Sequence, residues 1–188
     1  MVELNELQAK LKKTDGFRVK HTQSVKETAV KMAKHHNVDL YKVKIASLLH
    51  DYARHFNNEK LKKIVKENNI DVDEIEQKVP ALLHSAVGAY LAEQEFNIKD
   101  QDILNAIRYH TIGRPGMSIL EKIIFVADVV EPGRDFPGVD LIREKIYKNI
   151  DEAVILVCDF TIKYNIDRRR IIHPNTLFTR NSLLKGDN

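Results

Sequence analysis

Four histidines and two aspartates in this chain are metal-ligand residue types, and their spacing against apolar residues turns at least five of them inward. His21 lies four residues before Val25 and eight before Ala29. His50 lies four after Ala46 and seven after Val43. His84 stands three before Val87 and seven before Leu91, and His110 three after Ile107 and seven after Ile103. Asp128 lies four after Ile124 and eight after Leu120. Helical positions separated by three, four or seven residues share a face. Each of these five residues therefore projects from the apolar face of a different expected helix. Asp51 follows His50 directly, about 100° further around the helix axis.

A lone histidine on an apolar face is usually a satisfied core residue. An inward aspartate is costly unless it is paired, capped or bound to a metal. Five helices offering such groups together point to a shared purpose. A metal ion supplies one, because it neutralises carboxylates and takes imidazole nitrogens as ligands. Imidazole and carboxylate without thiolate suit iron, manganese, zinc or cobalt better than calcium. The spacing matches neither a zinc finger nor an HExxH helix, so the ligands come from separate helices. His35, His36 and His55 read as surface residues, and His173, before Pro174, is left open.

These ligands need helices to carry them, and helical periodicity dominates the chain. Helices are expected over about 18–36, 40–55 with Asp39 as N-cap, and from Asn58 as N-cap with Leu61, Ile64 and Val65 inward. An acidic turn, "DVDEIEQ", leads to Pro80 at the start of a helix reaching Phe96. Asp100 caps a helix to His110. Ser118, with Glu121 three residues on, forms a capping box for a helix to Val130. "TIGRPGM" and "EPGRDFPG" are loops. Two helices follow near 138–149 and 151–164, then a loop and a short terminal helix. No alternation suggests a strand, and no linker or repeat divides the chain. The expected fold is an all-α, single-domain, irregular helical bundle spanning 1–188, with a core at about 18–132 and C-terminal helices at about 138–184.

The 188 residues, 43% hydrophobic and 30% charged, suit one domain with a sizeable core. Charges interrupt every apolar run, so no membrane span is expected. The N-terminal "MVELNELQAKLKKTDG" lacks the apolar run of a secretory signal. The single cysteine, Cys158, sits in "AVILVCDF", rules out an intrachain disulfide and fits a cytoplasmic setting. Net charge is +3, and the basic stretches "KLKK" (10–13) and "DRRR" (167–170) are short and lack interleaved aromatics, so no nucleic-acid partner is expected. The oligomeric state is left open, a homodimer fitting on general grounds alone.

With His21, His50-Asp51 and Asp128 in this order, the chain resembles the HD-domain metallohydrolase superfamily. The stretch "AIRYHTIGRPGMSILEKIIFVADVVEPGRDFPGV", the "LLHDYAR" and "HSAVGAYLA" helices and the tail "PNTL…NSLL" resemble the YqeK-type family of bacterial symmetrical diadenosine tetraphosphatases. The likeness runs from about residue 15 to 184. It implies an iron-dependent hydrolase that cuts diadenosine tetraphosphate into two ADP. The metal is then held by His21, His50, Asp51 and Asp128. His84 and His110 complete a second metal site or hold phosphate beside a single ion. Asp51 and Asp128 are candidates to orient the attacking water.

Hydrolysis of a phosphoanhydride needs an activated water and neutralised phosphoryl oxygens. Each glycine-containing loop follows a candidate ligand, and glycine lets backbone N–H groups approach phosphate. Arg114 and Arg134 are therefore expected as phosphate clamps, with Thr111 as a hydroxyl contact and Arg54 as a further cation. The competing role for Arg134 is an ion pair with Asp135 or Asp140. Phe136 either stacks on a base or plugs the core. Other functions that fit are a phosphohydrolase of mononucleotides or cyclic dinucleotides, and a metal- or nucleotide-binding regulatory module without turnover.

Overall fold

The computed structural model describes residues 4, 7, 11 and 19–185. Of the "KLKK" stretch only Leu11 lies among them. The described residues form helices and no strand: α1 (Val19–His35), α2 (Leu40–Leu49), α3 (Asn58–Glu67), α4 (Glu74–Lys78), a 3₁₀ turn (Pro80–Leu82), α5 (Leu83–Phe96), α6 (Gln101–Tyr109), α7 (Ile119–Val130), α8 (Val139–Lys145), α9 (Ile150–Asp167) and α10 (Pro174–Lys185). The all-α expectation holds.

Short polar residues set the helix starts. The side chains of Asp39, Asp100 and Asn149 accept backbone N–H groups from the first turns of α2, α6 and α9. Ser118 and Glu121 form the expected capping box on α7. Each such cap stabilises its helix by about 1 kcal/mol. The cap of α3 is Asn57 rather than Asn58. The acidic turn holds a five-residue helix, α4, because Asp73 and Glu76 satisfy each other's backbone N–H in a second capping box. Asn37, Asn69 and Asn97 take left-handed backbone angles just after α1, α3 and α5. That conformation frees the chain to leave a helix at little cost for asparagine.

Helix α7, ILEKIIFVADVV, is buried almost all round, from Leu120 through Ala127. A helix apolar on every side belongs in the centre of a bundle. It packs against α1, α2, α6 and α9, with α5 lying on α6 and α10 on α9. A smaller cluster of Ala53, Leu61, Leu83 and Val87 joins α3 to α5. Cys158 is fully buried, and burial first, then Asp159, pushes its thiol up to about 12. It is a core residue and not a nucleophile. No helix among the described residues is long and apolar enough to cross a membrane.

The tail braces the loop after His110. Thr176 Oγ1 donates to Ile112 O at 3.1 Å, and Gly113, at φ +68°, lies against Thr179. A Cβ on Gly113 would stand 2.6 Å from Thr179 Oγ1. Gly113→Ala combines that clash with a left-handed backbone, so it is expected to cost about 1–3 kcal/mol. A thermal melt checks this, and an unchanged melting temperature would contradict the packing.

Candidate metal centre

Helix ends, rather than helix middles, deliver the ligands. His21 sits in the first turn of α1 and His84 in the first turn of α5. His50 and His110 are the C-terminal caps of α2 and α6. Asp128 lies in the last turn of α7. The expected helix over 40–55 stops at Leu49. Beyond it the chain closes tighter turns, Tyr52 N to Leu49 O and Arg54 N to Asp51 O. This brings Asp51 into the same space as His50.

The six groups converge as two sets that share Asp51. In the first set, His21 Nε2 lies 3.0 Å from Asp128 Oδ1 and 3.6 Å from Asp51 Oδ2. His50 Nε2 lies 3.4 Å from Asp51 Oδ2 and 3.9 Å from Asp128 Oδ1. In the second set, His84 Nε2 lies 3.2 Å from Asp51 Oδ1 and His110 Nε2 3.6 Å from it. The two nitrogens of that set are 3.2 Å apart. Donors held at about 2.1 Å from one ion stand roughly 3.0–3.4 Å apart, close to most of these spacings.

Tautomers decide what these nitrogens offer. His50 Nδ1 donates to Ser47 O (2.7 Å), His84 Nδ1 to Ala81 O (2.6 Å) and His110 Nδ1 to Ile107 O (2.8 Å), each to the carbonyl three residues earlier. His21 Nδ1 donates to Glu131 Oε1 at 3.2 Å. With every Nδ1 proton directed to an oxygen, each neutral ring aims an Nε2 lone pair at the cluster, the arrangement a metal-ligating histidine needs. His21 Nε2 and His50 Nε2 are buried with no hydrogen-bond partner. Lone pairs facing carboxylate oxygens repel unless a cation lies between them. The residues therefore fit a metal ion.

The electrostatics agree. Burial pushes the Asp51 carboxyl up, but the charge of His50 and the close approach of the His110, His50 and His84 nitrogens outweigh it and hold it well below the usual range. Asp128 is also held low, burial being outweighed chiefly by the His21 nitrogen 3.0 Å away. Burial pulls His50 down, yet the charges of Asp51 and Asp128 leave it raised. The same negative field favours a cation. Burial first, with His110 and Arg54 adding to it, pushes His84 down to about 4, so it stays a neutral imidazole near neutral pH. His50, His84 and His110 are buried, whereas the side chains of His21 and Asp128 are 14% and 17% exposed. The cluster therefore opens to solvent on the His21–Asp128 side.

Arg134 stands at that opening. Its Nη2 donates to Asp128 Oδ1 and its Nε to Asp128 O, both at 3.0 Å. It is not paired with Asp135 or Asp140. Arg54 Nη1 donates to Ala81 O at 3.0 Å and lies 3.0 Å from His84 Nδ1. Thr111 Oγ1 donates to Ser85 Oγ at 3.1 Å. Arg114 is engaged elsewhere: its Nε and Nη2 donate to Glu121 at 2.7 and 2.6 Å. Glu121 is a buried carboxylate and needs that charge, so Arg114 also holds the capped end of α7 in place. Phe136 stacks on Phe160 at 4.0 Å and plugs the edge of the core. His55 is exposed as expected. His173 is buried, with Nε2 2.7 Å from Asp73 Oδ2.

Two residues at the site escape a reading by sequence. Glu131 is 5% exposed and accepts from His21. Arg143 fastens the loop by donating to the carbonyls of Val130, Glu131 and Arg134. The signal for Glu131 was its place directly after the Asp128 helix, two residues before a glycine.

Residues 18–133 match the HD domain family. The chain is 40% identical over 166 residues, 88% of its length, to the symmetrical bis(5'-nucleosyl)-tetraphosphatase of Bacillus subtilis, of which 89% is covered. It is 35% identical to the protein of that name from Staphylococcus aureus, over 85% of this chain and 83% of that protein. A crystal structure of a predicted HD superfamily hydrolase from Clostridium acetobutylicum superposes with a TM-score of 0.94 at 38% identity, covering 99% of each chain. The chain thus belongs to the HD-domain hydrolases and, among them, to the family of symmetrical bis(5'-nucleosyl)-tetraphosphatases.

Proposed function

We propose that this protein hydrolyses the central phosphoanhydride of a dinucleoside tetraphosphate, diadenosine tetraphosphate being the preferred substrate, to two nucleoside diphosphates. One observation carries the reading: four imidazole Nε2 atoms and two carboxylates converge on one opening flanked by Arg134. The kinship with enzymes bearing that activity's name supplies the substrate.

His21, His50, Asp51 and Asp128 would hold the metal, with iron the proposed ion and manganese, zinc and cobalt suited to the same donors. Such an ion, when bound, supplies Lewis acidity toward a phosphoryl oxygen and lowers the pKa of water. The chain's own residues do the rest. Arg134, 3.0 Å from Asp128 at the opening, exchanges that contact for a phosphoryl oxygen and holds the polyphosphate against the cluster. A carboxylate oxygen of Asp51 or Asp128 not used in ligation orients the attacking water. Water adds to one of the two central phosphorus atoms, the bond from that phosphorus to the bridging oxygen breaks, and the departing diphosphate carries the electron pair away. Thr111 lies beside Ser85 on the loop after His110, where its hydroxyl can turn to a phosphate.

Two uses of His84 and His110 each have an observation behind them. Asp51 turns Oδ2 to the first set and Oδ1 to the second, so it would help to hold an ion in each. Against this, Arg54 places a cation 3.0 Å from His84 Nδ1, which favours an anion there. In that case the His84–His110 pair faces a phosphoryl oxygen of the substrate in place of a second ion.

Chromatography of the products tests the proposal. ADP alone from diadenosine tetraphosphate is the expected result. AMP with ATP, or release of inorganic phosphate, would overturn the symmetrical cut and favour the mononucleotide reading.

A further inference from the structure

We infer that Glu131 is the positioning residue of the metal centre: it fixes the His21 ring and ties that ligand to the loop carrying Arg134. The inference rests on the metal reading above. Three of the four histidines are oriented by a backbone carbonyl three residues earlier in the chain. His21 lies in the first turn of its helix and is oriented instead by a side chain 110 residues away. That carboxylate is more buried than the ligand it orients, its side chain 6% exposed against 14% for His21. Burying a carboxylate costs several kcal/mol unless it is well partnered. Glu131 has three partners, all belonging to the site. Oε1 accepts from His21 Nδ1 at 3.2 Å and lies 3.6 Å from Arg134 Nε, and Oε2 accepts from Gly133 N at 2.6 Å.

The loop is built around this contact. A Cβ on Gly133 would stand 3.0 Å from both Glu131 carboxylate oxygens, so a larger residue makes the carboxylate give by a few tenths of an ångström. Arg143 holds the carbonyl oxygens of Glu131 and Arg134 from the other side, at 3.1 and 2.9 Å. Capping the loop alone would need only the Gly133 bond, which a neutral glutamine could also accept. A carboxylate on His21 Nδ1 does more. It sets the tautomer with Nε2 bare and makes that nitrogen a stronger donor to a cation. Arg134 in turn contacts both Glu131 and the ligand Asp128. One buried carboxylate thereby couples a metal ligand to the arginine facing the substrate.

Cobalt(II) binding reads this directly. Metal-free wild type, Glu131→Gln, Glu131→Ala and Gly133→Ala are titrated with cobalt(II) against a competing chelator, with visible absorption recorded and the metal-free proteins melted in parallel. Loss of such an outer carboxylate weakens metal affinity by about 10–100-fold. The expected result is that loss for both Glu131 variants, with a shifted cobalt spectrum, a smaller loss in the same direction for Gly133→Ala, and a metal-free melting temperature for Glu131→Gln equal to wild type. Cobalt affinity and spectrum unchanged in the Glu131 variants would overturn the inference while leaving the metal reading intact. An affinity loss that merely follows lowered stability of the metal-free protein would also overturn it. Failure of wild type itself to bind cobalt would remove the metal reading and this inference together.

Discussion

Asp51→Asn is expected to lower dinucleotide cleavage by about 10³-fold or more while the helical fold stays in place. Asparagine has nearly the same shape, so the buried space remains filled. The change removes one of two negative charges from the first ligand set. It also replaces an oxygen by an NH₂ that must face the His21–His50 side or the His84–His110 side. Neither can receive it as it received the carboxylate. The nitrogens within 3.2–3.6 Å are aimed as lone-pair donors toward a cation. Circular dichroism and steady-state kinetics on one preparation check this. Wild-type turnover in a folded Asp51→Asn protein would contradict a metal-dependent mechanism and favour a binding module or a different site.

The next largest effect is expected at the second set. His84→Gln and His110→Gln are each expected to lower kcat by about 10²–10⁴-fold, the range for losing a proton donor or acceptor in place. Both rings are almost fully buried, and glutamine limits the cavity that alanine would leave. Metal content of the same variants separates the two uses. A fall of one equivalent means that the pair holds its own ion, and unchanged content with lost turnover means that it works on phosphate. Wild-type kcat in both variants would remove the second set from the mechanism.

The cluster of ligand-type residues is legible because its signal is long-range in space but local in sequence. Each of His21, His50, His84, His110 and Asp128 interrupts an apolar stripe that can be read within one helix. The Ser118–Glu121 and Asp39 caps were legible for the same reason. Helix ends were less so. Nothing local in "SLLHDYARHF" shows that the α-helix tightens after Leu49, a change tied to placing Asp51 beside four histidines. For α4 the sequence predicts only a turn, because five residues show no periodicity. The Gly-Pro-Gly setting of Arg114 points to phosphate, and its ion pair with Glu121 is hidden because the sequence already gives Glu121 a role as a cap. His173 and Asp73 are 100 residues apart, and only the folded tail brings them together. Glu131 follows the same rule, since its partner His21 lies at the other end of the domain sequence.

Metal analysis of protein purified without added metals tests the central claim most directly. At least one equivalent of a transition metal per chain is expected, one for a single-ion centre and two if His84 and His110 hold their own. Stripping it should abolish cleavage, and iron should restore it. Protein that contains no metal and still cuts diadenosine tetraphosphate at full rate would contradict the account.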